Sequence, residues 1–542
     1  MKYCFFLLLS LSLYFLPAQS LTPSAAFLNF GDTFDNQVDS LSLLLSNPHP
    51  YSVRVNEIRF YQTYTQTDFR ASSSDFDVPP GGQTQIWVYF QPRHNITYNS
   101  EMLILTDSRR GALSINLRGV GKYSDPYYNS LANKDEQSLK TALSSLLAQG
   151  FVQQSYNAAR DEMFMVIDNQ KINGQGASSN QLEGVYTGLL IDGFNNRAGA
   201  QNMGFNTEHV FPQSLFSSNL PMRSDIHHLF PTNSNANSQR GNLAFGTVSN
   251  PSWQEGGSKK GNNRFEPRDE HKGEIARAMM YFVLRYQDYS NFFAPQTTIL
   301  RQWHRDFPPD DIARKRNDDI EAVQGNRNPF VDYPQLEERI TNFSGNSQAP
   351  TRWALDRPDG AMVFDTVGFP TQAYYEYPLI NHGNQSISLT QLSFRQGAFQ
   401  LISGTGNPAS IEPGEAITLQ IRPLSGMGEI QDTLQINTNI PGEEQINVPI
   451  SAFFDSSNRV EDLSSSFASV RYLPLRGTLV FYNEQPLQPT HFQLLDLKGQ
   501  TCLQGHWQEG VHEVSLDALA AGLYLLRLRQ GEQWQQQKLW IQ

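Results

Sequence analysis

A turn signature recurs on either side of a section that lacks it. Val78-Pro79-Pro80-Gly81-Gly82 leads into Ile86-Trp87-Val88, and Ile411-Glu412-Pro413-Gly414-Glu415 leads into Ile417-Thr418-Leu419. Around each copy apolar and polar residues alternate in short runs, among them Ser40-Leu41-Ser42-Leu43, Ile86-Trp87-Val88-Tyr89-Phe90 and Met102-Leu103-Ile104-Leu105, broken by turn signals such as Asn47-Pro48. Alternation sends successive side chains to opposite faces of a strand, so each run buries one face. Short strands of this kind between turns make a β-sandwich. Residues 21–121 and 347–455 are therefore predicted to be two sandwiches related by duplication. Between them, Ile275, Ala276, Met279, Val283 and Tyr286 fall on one helical face at 3.6-residue spacing. Residues 122–346 are predicted to be an α+β domain. From 456 to 542 short strands return, with a Lys498-Gly499 turn and the run Gly522-Leu523-Tyr524-Leu525-Leu526-Arg527-Leu528, which predicts a small terminal β-sandwich. A chain of 542 residues exceeds a single core and requires such a multidomain division.

Residues 1–20 read as an export signal. Lys2 is their only charge, residues 5–16 are mostly apolar, and Ala18-Gln19-Ser20 suits cleavage, so the mature chain is expected to begin near Leu21. The apolar run is shorter than the roughly twenty residues a membrane-crossing helix needs, and no later segment qualifies. The expected location is secreted or at the cell surface. Cys4 would leave with the signal, and Cys502 alone cannot form an intramolecular disulfide, so large cores must stabilise the fold. The net charge of −12 excludes a polybasic protein that holds nucleic acid over its whole surface. From 122 to 345 there are 22 Lys and Arg against 25 Asp and Glu, a net of −3, so any contact with nucleic acid must be local.

Phosphodiester hydrolysis needs an activated water, neutralised charge at the phosphate and help for the departing oxygen. Phe205-Asn206-Thr207-Glu208-His209-Val210-Phe211-Pro212-Gln213-Ser214 sets a carboxylate beside an imidazole. On an extended strand the two point to opposite faces, so that one can hold metal while the other reaches substrate. Arg223, Asp225, His227, His228, Asn233, Asn235, Asn237, Arg240 and Asn242 follow. If a helix runs through Asn237, Arg240 shares its face. Any one of these alone reads as an ordinary surface residue; the grouping points to a site. His227 and His228 have no cysteine nearby and lack the His-x-x-x-His spacing of a zinc helix. Lys259, Lys260, Arg264 and Arg268 form a basic run in a Gly-rich stretch read as a loop, suited to phosphates on either side of a cut; a solvated flexible loop is the equal alternative. No zinc-finger or helix-turn-helix pattern is present, so cleavage is expected to be independent of base sequence.

Four blocks, in order, make the middle section resemble the bacterial endonuclease I family. They are the Asn206 to Ser214 segment; Met222-Arg223-Ser224-Asp225-Ile226-His227-His228-Leu229-Phe230-Pro231 running into Asn237-Ser238-Gln239-Arg240-Gly241-Asn242; Phe265-Glu266-Pro267 with Lys272-Gly273-Glu274-Ile275-Ala276-Arg277; and Gln324-Gly325-Asn326-Arg327-Asn328-Pro329-Phe330. The resemblance implies a ββα-metal, or His-Me finger, fold. It makes His209 the general base and makes Glu208 and Asn237 the ligands of one divalent cation, most simply Mg²⁺, with Mn²⁺ or Ca²⁺ as substitutes. It also implies DNA as substrate, with RNA open, and 5′-phosphate and 3′-hydroxyl products. An arginine should face the phosphate, Arg223 first, with Arg240 second or as a brace for the site. Asp225 or Asn206 is the candidate to orient His209. Phe205 stands where Trp is common in the family, and the cysteines that staple some periplasmic members are missing; neither departure touches the chemistry.

The two repeats resemble immunoglobulin-like domains of the ASPM, SPD-2 and Hydin type. The tail resembles the C-terminal sorting domain of type IX secretion, through Leu495-Asp496-Leu497-Lys498-Gly499, Leu516-Asp517-Ala518-Leu519, Gly522-Leu523-Tyr524 and Lys538-Leu539-Trp540-Ile541. That resemblance implies the type IX machinery as a partner. A monomer is expected. A second class stays open: a cell-surface binding protein that uses its sandwiches and carries an inactive nuclease fold. The complete set of Glu208, His209 and Asn237 speaks against it, since a relic is free to lose one of them.

Overall fold

The two alternating regions each fold into a pair of facing sheets. In the first, Asp39–Ser46 and Gln83–Phe90 pair antiparallel within a four-stranded sheet, while Thr97–Thr106 lies between Leu113–Lys122 and Val53–Tyr61 in a five-stranded one. The sheets meet over Leu43, Val55, Val88, Met102 and Ile115, all fully buried. The computed structural model describes residues 21–541 apart from 50, 62–67, 108–110, 288–289, 365–373, 404–408, 425–427, 455–467, 474–477, 484–489, 497, 508–510, 517, 521 and 531–532. The export signal read at 1–20 lies outside the described residues, as do Leu497 and Asp517 of the tail motifs.

The second sandwich repeats the first strand for strand. With nine described strands in each, numbered along the chain, both have sheet orders 1-3-7-5 and 2-9-8-4-6, and in both the second strand runs parallel to the ninth. A buried asparagine recurs with the turn signature. Asn47 Nδ2 donates to the Tyr51 and Val78 carbonyls, and Asn381 Nδ2 donates to the Gln385 and Ile411 carbonyls. Each asparagine thus ties the end of the third strand to the residue that opens the Pro-Gly turn. The sandwiches also touch one another. Ala112 N–H donates to the Glu376 carbonyl at 3.2 Å, Tyr61 donates to Asp356, and Leu103, Ala112 and Ile380 close an apolar contact.

Between them the chain builds a domain around the helix Asp269–Tyr286. Its periodicity predicts one buried face, yet every residue from Ile275 to Leu284 is buried. Glu136–Ala148 and Thr297–Asp306 pack against it and enclose Met279, Met280 and Phe282. Arg339, 1% exposed, fastens this domain to the first sandwich. Its Nη1 donates to Asn95 Oδ1 at 2.8 Å, its Nε to Asp135 at 3.0 Å, and its Nη2 to the carbonyls of Leu131 and Lys134. From Ala468 onward, sheets of three and four strands enclose Val470, Phe481, Phe492, Leu526 and Leu539. Among the described residues no helix is long and apolar enough to cross a membrane.

Candidate active site

The strands Phe205–His209 and Leu229–Asn233 pair antiparallel, with Glu208 opposite Phe230 and His209 opposite Leu229, and the second strand runs straight into the helix Ser234–Arg240. The helix folds back on the first strand because both of its polar anchors bind there. Asn237 Nδ2 donates to the Thr207 carbonyl at 3.0 Å, and Arg240 Nη2 donates to the Val210 carbonyl.

Glu208 and His209 face different partners, as their adjacency on a strand requires. Glu208 is 1% exposed. Its Oε1 accepts from the Tyr186 hydroxyl at 2.7 Å and lies 3.4 Å from Arg240 Nε, close enough for charge pairing but not aligned as a hydrogen bond. Burial pushes the Glu208 carboxyl above its usual range, and Arg240 and the Tyr186 hydroxyl oppose that shift. Among the described residues no donor reaches Glu208 Oε2 or Asn237 Oδ1. Two unclaimed oxygens on neighbouring elements suit a hard divalent cation that keeps several waters. Among the described residues no group of three or more His, Cys, Asp or Glu is placed to hold a metal, so a cation here would rest on few protein ligands.

His209 Nε2 lies 3.2 Å from the Arg223 carbonyl oxygen. A carbonyl only accepts, so this hydrogen bond places the proton on Nε2 and leaves Nδ1 as the basic nitrogen. Burial, helped by the neighbouring His228, holds the imidazole pKa down to about 3, so the ring is neutral at neutral pH. The Arg223 carbonyl corrects the expectation that Asp225 or Asn206 orients His209. Asp225 is fully buried and accepts from the Tyr281 and Tyr286 hydroxyls at 2.9 and 2.8 Å, while Asn206 Oδ1 accepts from the Thr207 amide. His227 and His228 are buried too, their Nε2 atoms set against the carbonyls of Asn326 and Met222.

The two candidate arginines separate cleanly. Arg240 is 1% exposed and bound to Glu208 and backbone carbonyls, which matches a brace. Arg223 flanks His209: its guanidinium lies 4.1 Å from the centre of the Tyr156 ring, and that ring lies 5.6 Å from the imidazole. Arg160 approaches the same ring at 5.0 Å and donates through Nε to Thr207 Oγ1 at 3.0 Å. Sequence reasoning missed Tyr156, Arg160 and Tyr186. The one available signal, Tyr156 and Arg160 one helical turn apart behind the Ser155 cap, is shared by countless surface helices.

The basic run is not a loop. Ser258–Gly261 and Arg264–Glu266 pair as a hairpin turned at Asn262 and Asn263, whose φ values of 52° and 56° fit a two-residue turn. Lys260 Nζ reaches Gln239 of the site helix at 3.2 Å, and Lys259 lies 3.9 Å from Glu266. Arg268 is tied to Glu183 and Glu270, while Arg264 has no ion pair among the described residues. Of the four, Lys260 is the one that hydrogen-bonds the helix carrying Asn237 among the described residues.

The Endonuclease I family model matches residues 135–335, a span that holds the hairpin, the helix and each of these side chains. The central domain is an Endonuclease I domain. The chain is accordingly an endonuclease, and proteins similar to it are named as extracellular nucleases. An extracellular ribonuclease of Bacillus subtilis is 29% identical over 236 residues, 40% of this chain and 78% of that protein. An extracellular ribonuclease of Bacillus amyloliquefaciens is 28% identical over 239 residues, again 40% and 78%. An extracellular deoxyribonuclease of Aeromonas hydrophila is 31% identical over 116 residues, 20% of this chain and 50% of that one. The location consistent with them is secreted.

Proposed function

We propose that this secreted endonuclease is metal-dependent and hydrolyses phosphodiester bonds of DNA and of RNA without base preference, leaving 5′-phosphate and 3′-hydroxyl ends. The reading is carried by His209, a neutral imidazole whose Nε2 is committed to the Arg223 carbonyl and whose Nδ1 is free to take a proton from water. Glu208 and Asn237 hold the cation, Mg²⁺ with Mn²⁺ or Ca²⁺ as substitutes. When bound, it supplies positive charge at the phosphate and at the departing 3′ oxygen. Arg223 meets the developing phosphate charge through its planar fork of donors. Arg240 keeps Glu208 ionised and in place. Lys260, with Lys259 and Arg264 on the same hairpin, contacts flanking phosphates, while Arg268 serves the fold. Both nucleic acids are included because the relatives are named for each. The flanking sandwiches are immunoglobulin-like domains of the ASPM, SPD-2 and Hydin type, the tail is read by type IX secretion, and the protein acts as a monomer.

The deciding experiment is nicking of a plasmid and digestion of an RNA by the purified chain with Mg²⁺, with EDTA, and as the His209→Ala variant. Cutting by the unsubstituted chain that is lost in both other arms supports the mechanism. Intact substrates with Mg²⁺, Mn²⁺ and Ca²⁺ alike would sink it.

A further inference from the structure

We propose that Arg160 and Arg223 form a clamp on two neighbouring phosphates of one nucleic-acid strand, with Tyr156 as the positioning residue that spaces them; this rests on reading the site as a nuclease centre. Several arginines elsewhere in the domain are tied to carboxylates, among them Arg197 to Asp161, Arg240 to Glu208, Arg285 to Asp225 and Arg316 to Asp168, whereas Arg264 and Arg277, away from the Tyr156 ring, have no ion pair among the described residues. Among the described residues no carboxylate lies within ion-pair distance of Arg160 or Arg223. Asp161, next in sequence to Arg160, pairs with Arg197 instead. Arg223 Nε is buried and has no hydrogen-bond partner. Two guanidiniums therefore share one tyrosine ring, at 5.0 and 4.1 Å, beside a histidine and without a counter-charge.

Such an arrangement is unfavourable on its own. Cation–π contact with the ring offsets part of the repulsion between two close cations, and a bound anion removes the rest. The anchors fix where the anion goes. Arg160 uses Nε on Thr207, one residue from Glu208, which leaves its terminal nitrogens open. The Arg223 backbone is held to His209 through its carbonyl, so its side chain meets the scissile phosphate and Arg160 meets the next one along the strand.

Binding of a short DNA duplex in EDTA, followed across salt concentrations, tests this. Each lost phosphate contact lowers the slope of log K against log salt by about 0.9. Arg160→Ala should lower it by about that amount, and Arg160→Ala combined with Arg223→Ala by about twice as much. Tyr156→Phe should keep the slope, since the ring is retained. Tyr156→Leu should reduce it with both arginines present, an effect that general loosening of the fold does not produce. A double variant that loses no more slope than the single would mean one shared phosphate and would overturn the clamp. So would an unchanged slope for Arg160→Ala in a chain that still cuts, which leaves the nuclease reading intact. If the unsubstituted chain neither binds nor cuts, both readings fall. Should Tyr156→Leu fail to fold, the arginine variants, which alter partly exposed side chains, still decide.

Discussion

Arg240 and Arg223 carry the same charge in opposite electrostatic situations. Arg240 shares a fully buried pair with Glu208, so removing its guanidinium strands a carboxylate in the interior. Arg240→Ala is expected to cost about 3–5 kcal/mol of stability, read from urea denaturation. Arg223 holds no carboxylate, and Arg223→Ala should change stability by about 1 kcal/mol or less. Its turnover should nevertheless fall roughly 10²- to 10³-fold, as when a transition-state donor is lost. A large stability loss in Arg223→Ala with normal turnover would reverse the two roles. At this scale the sequence was informative where chemistry is contiguous. Glu208 and His209 are neighbours, and Asn237 and Arg240 are one helical turn apart, so a single strand and a single helix display all four. Tyr186, Tyr156 and Arg160 reach the same place through packing of separate segments, and no local spacing records that.

Among the elements, the helix Asp269–Tyr286 is the most demanding. A Cβ on Gly273 would overlap the Phe307 carbonyl, which also accepts from Arg277 Nη1 at 2.8 Å. Alanine favours a helix over glycine by about 1 kcal/mol. Gly273→Ala should nonetheless lower the thermal midpoint, because a backbone carbonyl cannot step aside without losing its bond to Arg277. One turn of this helix also holds a titrating pair. Burial raises the Glu274 carboxyl, but the charge and hydrogen bond of His271 more than offset it and hold it down to about 2. A carboxylate held below its ordinary 4.5 stabilises the fold above that pH and loses the contribution as pH falls towards about 2. His271, held above 6.5, contributes fully below that value and loses its share as pH rises through the folded pKa. Glu274→Gln should therefore flatten the stability profile between about pH 4.5 and 2, measured by melts across the acid range. The helix was visible from its apolar period, but its full enclosure was not, because periodicity reports the strongest face and not what surrounds the others. The basic hairpin was readable and went unread: Asn262-Asn263 between Lys260 and Arg264 is a turn signal, hidden by the glycines around it.

Across the whole molecule, the repeated strand topology was legible from the repeated turn signature, which the buried Asn47 and Asn381 explain. The packing of one sandwich on the other was not, since Tyr61, Ala112 and Ile380 belong to no pattern. The nuclease domain is joined to the first sandwich chiefly through polar groups around Arg339. Arg339→Ala should leave Asn95 and two carbonyls without their donor, cost about 1–3 kcal/mol, and split one calorimetric transition into two. A single unshifted transition would mean that the link carries no coupling. The contact between the sandwiches has a mechanical meaning as well. Ala112 with Glu376 and Tyr61 with Asp356 join the strands on either side of the inserted domain. Tension drawn between the two sandwiches is therefore met first by this buckle, and the nuclease domain, itself fastened to the first sandwich through Arg339, is loaded only once the buckle opens.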